Sequence, residues 1–371
     1  MKICYLANAA SIHTERWASH FARRGHDVTV VSLTGAQVPG VDVRWIGPDP
    51  NIRGRIAYLL AIPRLRRLLK RLKPDIVHAH YAGGYGLTAA LAGFHPLVLT
   101  AWGSDVLILP RTSRTMRSLV RFALRRANLV TSMARHMTSA IRGLGVPGEK
   151  VLTLPFGVDT SVFHPHNRRE SGRREGFTIV STRHLEPLYN VGLLIEAMPA
   201  IAEAIPNVRL LLIGDGSERE RLQARVNRLN LADRVAFLGR KRPAEIAGYL
   251  SDADLFVSTS LSDGNNVSLN EAMACGAFPI ATDIPANREW IDHGLNGFLT
   301  GLNDPLTLAQ LAIQAFRQPD LRAAAAAENW EIVRQRGSWE SAMEIMERHY
   351  WDILQSGALV DPIRATGGLF Q

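Results

Sequence analysis

Short apolar runs rich in Val, Ile and Leu alternate with helix-patterned stretches along the chain, and the alternation starts afresh after one charged break. In the first half "KICYLA", "DVTVVSL", "DIVHAH", "LVLTAW" and "NLVTS" are separated by stretches of helical spacing, among them 12–24 and a helix around 54–72. Runs that are apolar along their whole length fit strands buried on both faces, and such strands form parallel sheets covered by helices. "KVLTLPFGVDTSVFHP" ends this half, and the polar "HNRRESGRREG" (166–176) predicts a linker. "FTIVST", "VRLLLIGDG", "RVAFLG", "DLFVST", "FPIAT" and "GFLT" then resume the rhythm, again with helical stretches between them. At 371 residues the chain has room for two cores. The expected fold class is α/β, with two doubly wound Rossmann-like units, 1–165 and 166–337. A last helix within "SWESAMEIMERHYWDIL" and a loose tail, "QSGALVDPIRATGGLFQ", make up 338–371. Two such units create a cleft onto which strand C-termini open, so the informative loops are those that follow strands.

No apolar run reaches the roughly 20 residues that span a bilayer. "MKICYLANAA" is too short for a signal-peptide core and reads as a first buried strand, so a cytoplasmic protein is expected. Cys4 and Cys275 each sit in an apolar segment, which predicts two buried thiols rather than a disulfide or a metal pair. The net charge of +9 is uneven: residues 1–165 carry 22 Lys and Arg against 8 Asp and Glu, the remainder 21 against 26. The excess lies in Arg64–Lys73 and Arg111–Arg126, both basic amphipathic helix patterns. Each reads either as a solvated helix face or as a surface for an anionic membrane or a phosphate-bearing substrate. Nucleic acid is not expected, because no recognition motif or interleaved aromatic array accompanies the charge.

The loop "STSLSDGNNVSLNEAMACG" (Ser258–Gly276) places Asp263 and Glu271 on either side of a Gly-Asn-Asn turn at a helix start. Unpaired N–H groups at a helix N-terminus hold anions, Gly264 permits close approach, and Asn265 and Asn266 tolerate unusual φ. Two carboxylates at different depths could hold the hydroxyls of a ribose or a sugar. The plain alternative is an Asp-Gly turn before an ordinary amphipathic helix.

"FGVDTSVFHP", "LLLIGDG", "RVAFLG", "ADLFVSTSLSDG", "LNEAMACGAFPIATD" and "HGLNGFLT", in this order, resemble the retaining glycosyltransferases of family 4, over nearly the whole chain. The resemblance implies the GT-B architecture and nucleotide-sugar chemistry. It implies that Glu271 holds ribose hydroxyls and Asp263 the donor sugar, with the main chain of Gly264, Asn265 and Asn266 beside it. Val267 and Ser268 would offer N–H groups to the diphosphate, Arg183 would neutralise it, and Arg240 would lie near the base. Small residues in "NAASIH", including Ser11, would allow close approach to the donor. Trp102, Asp105, His80 and His13 are the acceptor or cleft candidates. By the same resemblance the acceptor hydroxyl attacks from the leaving-group face, and no protein nucleophile is needed.

This chain departs from the family at several points. The first acid is Asp rather than Glu. No Lys follows Arg183 in "RHLEPLYNVG", so Arg183 acts alone or Lys241 or Arg242 assists. Trp102 stands where many members carry a His, offering a stacking face, with Asp105 the nearest polar substitute. His78 and His80, alternating on one strand, are expected to face opposite ways and so not to share a metal. The Asp-x-Asp of "SDADLF" leads into an apolar strand and is expected to be structural. "IGDGS" reads as a strand-to-helix cap. No metal and no cofactor are expected, since cationic side chains and helix N–H groups can neutralise a diphosphate.

The expected activity is retaining sugar transfer, with a UDP-sugar favoured and GDP-mannose next. The expected acceptor is a saccharide or a lipid-linked molecule in cell-envelope polysaccharide or glycolipid synthesis. An anionic membrane surface is a candidate partner, which would place the protein peripherally on the inner face. A non-catalytic nucleotide- or glycan-binding partner and a GT-B nucleotide-sugar epimerase are the alternatives.

Overall fold

The computed structural model describes residues 1–48, 54–165 and 176–356. Of the expected linker 166–176 all but Gly176, and of the expected tail all but Gln355 and Ser356, lie outside the described residues. The chain divides into two compact units, one of Met1–Leu154 with the residues from Glu344 on, the other of Pro155–Met343.

The first unit is built on β1 (Lys2–Leu6), β2 (Asp27–Ser32), β3 (Asp42–Trp45), β4 (Ile76–His80), β5 (Leu97–Thr100), β6 (Leu129–Ser132) and β7 (Val151–Thr153). They form one parallel sheet in the order β3-β2-β1-β4-β5-β6-β7. Strand order reverses between β1 and β4, which pair through Ile3–Ile76 to Leu6–Ala79. Central strands are buried on both faces, as Ile3, Cys4, Tyr5 and Leu6 illustrate. β3 escapes a sequence reading because "DVRW" is a largely exposed edge strand with no buried periodicity.

The second unit has β8 (Phe177–Ser181), β9 (Val208–Ile213), β10 (Val235–Gly239), β11 (Leu255–Ser258), β12 (Phe278–Thr282) and β13 (Phe298–Thr300). They are again all parallel, in the order β10-β9-β8-β11-β12-β13. The reversal here lies between β8 and β11. Successive residues feed opposite faces: Ile179, Leu255, Val257 and Ile280 join one core, Val180, Phe256 and Ala281 the other.

Helices start where a polar side chain closes the first turn. Ser11 caps Ile12–Arg23, Ser113 caps Arg114–Arg126, Asn266 caps Val267–Ala274 and Asp304 caps Pro305–Arg317. The helix expected around 54–72 is two segments, Arg55–Leu60 and Ile62–Leu72. The basic stretch from Arg111 likewise splits, because Ser113 is extended and restarts the helix. "IGDGS" is not itself a cap: the helix after β9 begins at Arg219, and the Ser217 hydroxyl donates to Glu186.

The last helix, Trp339–Ser356, contributes to both units. Its start is tied to the second, where Trp339 N–H donates to the Val158 carbonyl at 2.9 Å. Farther along, Tyr350 lies fully buried in the first, with its hydroxyl 3.2 Å from that of Tyr5. Cys4 and Cys275 are buried free thiols, each pushed up to about 12 by burial. Among the described residues no helix is long and apolar enough to cross a membrane.

Candidate active site

In open α/β sheets ligands bind beyond the strand C-termini where strand order reverses. In the second unit that point lies between the loops after β8 and β11. The two loops are sewn together: the Thr259 hydroxyl donates to the carbonyls of Tyr189 (3.0 Å) and Asn190 (2.9 Å), and Leu261 N–H to that of Leu188 (2.9 Å). From the β12 side, the Thr282 hydroxyl donates to the Ser260 carbonyl at 2.6 Å. The turn after β9 closes on the same place. Gly214 has φ 148°, and a Cβ there would lie 2.4 Å from the Arg183 carbonyl oxygen, so only glycine fits.

Arg183 stands at the centre of this frame and is 8% exposed. Its Nη2 donates to Asp263 Oδ2 at 2.5 Å, its Nη1 to Asn266 Oδ1 at 2.8 Å, and the guanidinium carbon lies 4.3 Å from the centroid of the Tyr189 ring. The buried Nε–H has no hydrogen-bond partner among the described residues. An unpaired buried donor on a charged group is costly unless an acceptor atom reaches it.

Asn266 is the hub that fixes the arginine. Fully buried, it also accepts from Leu269 N–H (3.2 Å) and donates to Ser258 Oγ and Asn287 Oδ1 (3.0 Å each). Asn287 in turn donates to the Thr282 carbonyl at 2.8 Å. Asn265 accepts from Trp290 Nε1 (3.1 Å) and Asn270 Nδ2 (3.3 Å). The side chain of Asn266 therefore serves the protein frame, as does the oxygen of Asn265, whose buried Nδ2 has no partner among the described residues. Gly264 is buried between them and Asp263.

Of the two N–H groups expected at the helix start, that of Val267 is paired with the Asn265 carbonyl at 2.9 Å. Ser268 and Glu271, on the first and second turns, are half-buried. Tyr189 and Asn287 were not legible as site residues. The only hint of Tyr189 is an aromatic six positions after the arginine, and nothing local marks Asn287.

Arg240 is exposed at the end of β10 and belongs to a separate group, in which it and Arg219 (3.4 Å) draw the Asp215 carboxyl down behind a hydrogen bond from Gly216 N–H. Lys241 and Arg242 both pair with Glu245, at 3.7 and 3.3 Å. The Asp-x-Asp is structural at its second member, since Asp254 Oδ2 accepts from Thr178 N–H at 2.9 Å. Among the described residues no three His, Cys, Asp or Glu side chains are grouped to hold a metal.

The first unit places its candidates at the corresponding point, between the ends of β1 and β4. Ser11 accepts from His13 N–H at 3.3 Å and starts the helix. The His13 ring lies 4.8 Å from that of Trp102, and Trp102 lies 5.4 Å from His80. His80 is buried against Trp17 and Tyr5, and neither ring nitrogen has a hydrogen-bond partner among the described residues. Burial, and then the charge of His13, push its imidazole down to about 3.

The expectation that His78 and His80 face opposite ways is wrong. Their rings lie 4.8 Å apart, because residues two apart on a strand share a face. His78 is held by Tyr350 Oη (2.5 Å) and Thr100 Oγ1 (2.7 Å). Asp105 is fully buried and accepts from the N–H groups of Ala82 (2.7 Å), Trp102 (2.9 Å) and Gly103 (3.0 Å). Burial raises its carboxyl, with those bonds opposing, and its work in this structure is to hold the Trp102 loop.

Every Lys and Arg of Arg64–Lys73 and Arg111–Arg126 is exposed. Some also brace the fold, as Arg66 does by donating to the Leu91 carbonyl at 2.7 Å.

Two family models match the chain in succession: "Glycosyl transferase 4-like" over residues 2–134 and "Glycosyl transferases group 1" over residues 164–330. The N-acetyl-alpha-D-glucosaminyl L-malate synthase of Bacillus anthracis is 26% identical over 341 residues, covering 89% of this chain and 84% of the relative. The phosphatidyl-myo-inositol mannosyltransferase of Mycolicibacterium smegmatis is 26% identical over 362 residues, covering 94% and 91%. The crystal structure of Anabaena HepE in complex with UDP matches with a TM-score of 0.80 at 22% identity, over 95% of this chain and all of that one. Taken with the two parallel-sheet units, these matches mean that the chain belongs to the family 4 type glycosyltransferases, and that it is a glycosyltransferase of the GT-B fold.

Proposed function

We propose that the protein moves a sugar from a nucleoside diphosphate donor, a UDP-sugar in the first instance and GDP-mannose in the second, to an acceptor hydroxyl with retention of configuration. Arg183 is the observation that carries this reading: a buried guanidinium at the strand-order reversal, anchored on three sides and still holding one unpaired N–H. Such a group, beside a helix N-terminus, suits the charge that grows on a departing diphosphate. Glu271 would take ribose hydroxyls and Asp263 the sugar, with the main chain at Gly264, Asn265, Asn266 and Ser268 closing around them.

In the step proposed, the bond between the anomeric carbon and the diphosphate oxygen breaks. The acceptor oxygen forms its bond on the same face and passes its proton to the leaving phosphate. The diphosphate is neutralised by Arg183 and backbone N–H groups without a metal ion. The first unit would receive the acceptor beside Trp102, whose loop Asp105 holds, with His13 and His80 adjoining it. A complex of HepE with UDP and a relative named as a mannosyltransferase support the nucleotide-sugar reading. The exposed basic helices support an acceptor carried on an anionic membrane, with the protein peripheral on its cytoplasmic face.

The test is thermal stabilisation by UDP, GDP, ADP and TDP and their sugars, with Mg²⁺ and with a chelator. One nucleotide should raise the melting temperature, in both conditions, and the shift should vanish in Glu271→Ala. NMR of the product then reads the anomeric configuration. Stabilisation by none of the panel would move the non-catalytic binding-partner reading to the front. Binding without transfer, but with a changed sugar, would favour an epimerase.

A further inference from the structure

We infer that Asp263 and the diphosphate of the donor compete for the same edge of Arg183, so that donor binding exchanges one anion for the other and releases the carboxylate toward the sugar. The inference rests on the donor site proposed above. The geometry separates a wholly buried partner of the arginine from one nearer solvent. Asn266, on Nη1, is wholly buried and tied by three further hydrogen bonds, and Tyr189 lies under the guanidinium plane. These contacts hold Arg183 where it is.

Asp263, on Nη2, has a more exposed side chain (14%) and precedes Gly264, the residue with the most backbone freedom in the loop. The unpaired Nε–H shows that the guanidinium has donor capacity that the protein does not use. A carboxylate 2.5 Å from Nη2 cancels most of the positive charge that an arriving diphosphate would meet. The arrangement trades ground-state affinity for a carboxylate that becomes available only once the donor is seated.

The experiment is titration calorimetry of the full chain with inorganic pyrophosphate and with UDP and GDP, on the unaltered protein, Asp263→Asn, Asp263→Ser and Arg183→Gln. Circular dichroism checks that each is folded. Two substitutions at Asp263 guard against one of them misfolding. Removing an internal competitor should tighten pyrophosphate and nucleotide by about tenfold, within the range typical of coupled sites. Arg183→Gln should lose both, and sugar transfer should fall in the Asp263 variants although the nucleotide binds better.

A residue with a merely structural role would weaken binding or leave it unchanged. If the unaltered protein binds a nucleotide through Arg183 while both Asp263 variants bind it no more tightly, the competition is overturned and the donor site stands. If neither the unaltered protein nor the Asp263 variants bind pyrophosphate or either nucleotide, both the competition and the donor site are overturned.

Discussion

Asp105 and Asp263 both stand in segments that follow a strand, and their surroundings give them opposite work. Asp105 is sealed in and takes three backbone N–H groups, so it shapes the loop that presents Trp102. Asp105→Ala strands those donors and should cost about 3 kcal/mol, read as a lower urea midpoint. Asp263 touches one edge of a guanidinium at the margin of the site. Arg183 itself needs its planar fork, since it meets Asn266 and Asp263 through different nitrogens and lies on Tyr189. Arg183→Lys keeps the charge and loses that geometry, so steady-state kinetics should show the KM for the donor rising by about tenfold.

At the scale of elements, loops from separate strands are made into one rigid frame by a few close approaches. Gly214 lets the turn after β9 rest on the Arg183 carbonyl, and Gly214→Ala must push that loop away. The variant should stay folded and lose donor binding by about tenfold or more, as a shift of about 1 Å in a positioning group commonly does. The C-terminal helix is fastened by a buried relay in the first unit, from Tyr5 through Tyr350 and His78 to Thr100 and Thr131. Tyr350→Phe leaves the His78 ring without one partner. It should lower stability by about 1–3 kcal/mol in equilibrium unfolding, with the secondary structure unchanged.

Over the whole molecule, buried histidines contribute to the response to acid. His78 and His80 are held far below their ordinary value of 6.5, His80 at about 3, chiefly because burial disfavours the charged ring. Above pH 6.5 both folded and unfolded chains carry them neutral, and they have no effect on stability. As pH falls from 6.5 toward 3 the unfolded chain protonates His80 and the folded chain does not, so stability falls by about 1.4 kcal/mol per pH unit from this residue, and His78 acts in the same direction. The melting temperature should therefore drop across that window, and less so in His80→Phe. The charge asymmetry also acts at this scale. Vesicles rich in phosphatidylglycerol should sediment the protein at low salt and release it as ionic strength rises, and changing Arg117, Arg121 and Arg125 together to Gln should weaken the effect.

The two parallel sheets and most of their helices were legible because apolar runs and helical spacing depend on neighbours in sequence, whereas the reversal points, set by pairing of distant strands, came only with the structure. The edge strand β3 was not, since an exposed strand has no buried face to set a period. The shared face of His78 and His80 was legible and misread, for strand geometry alone decides it. The residues alone determined that an arginine, two acids and an asparagine pair would stand in the segments that follow two strands, Glu271 on the helix and the others before it. Which of them touch was decided only by the tertiary structure. Arg183 and Asp263 are 80 positions apart and meet because β8 and β11 are neighbours, and Asn266 turned inward because a buried guanidinium and a helix start both needed its oxygen.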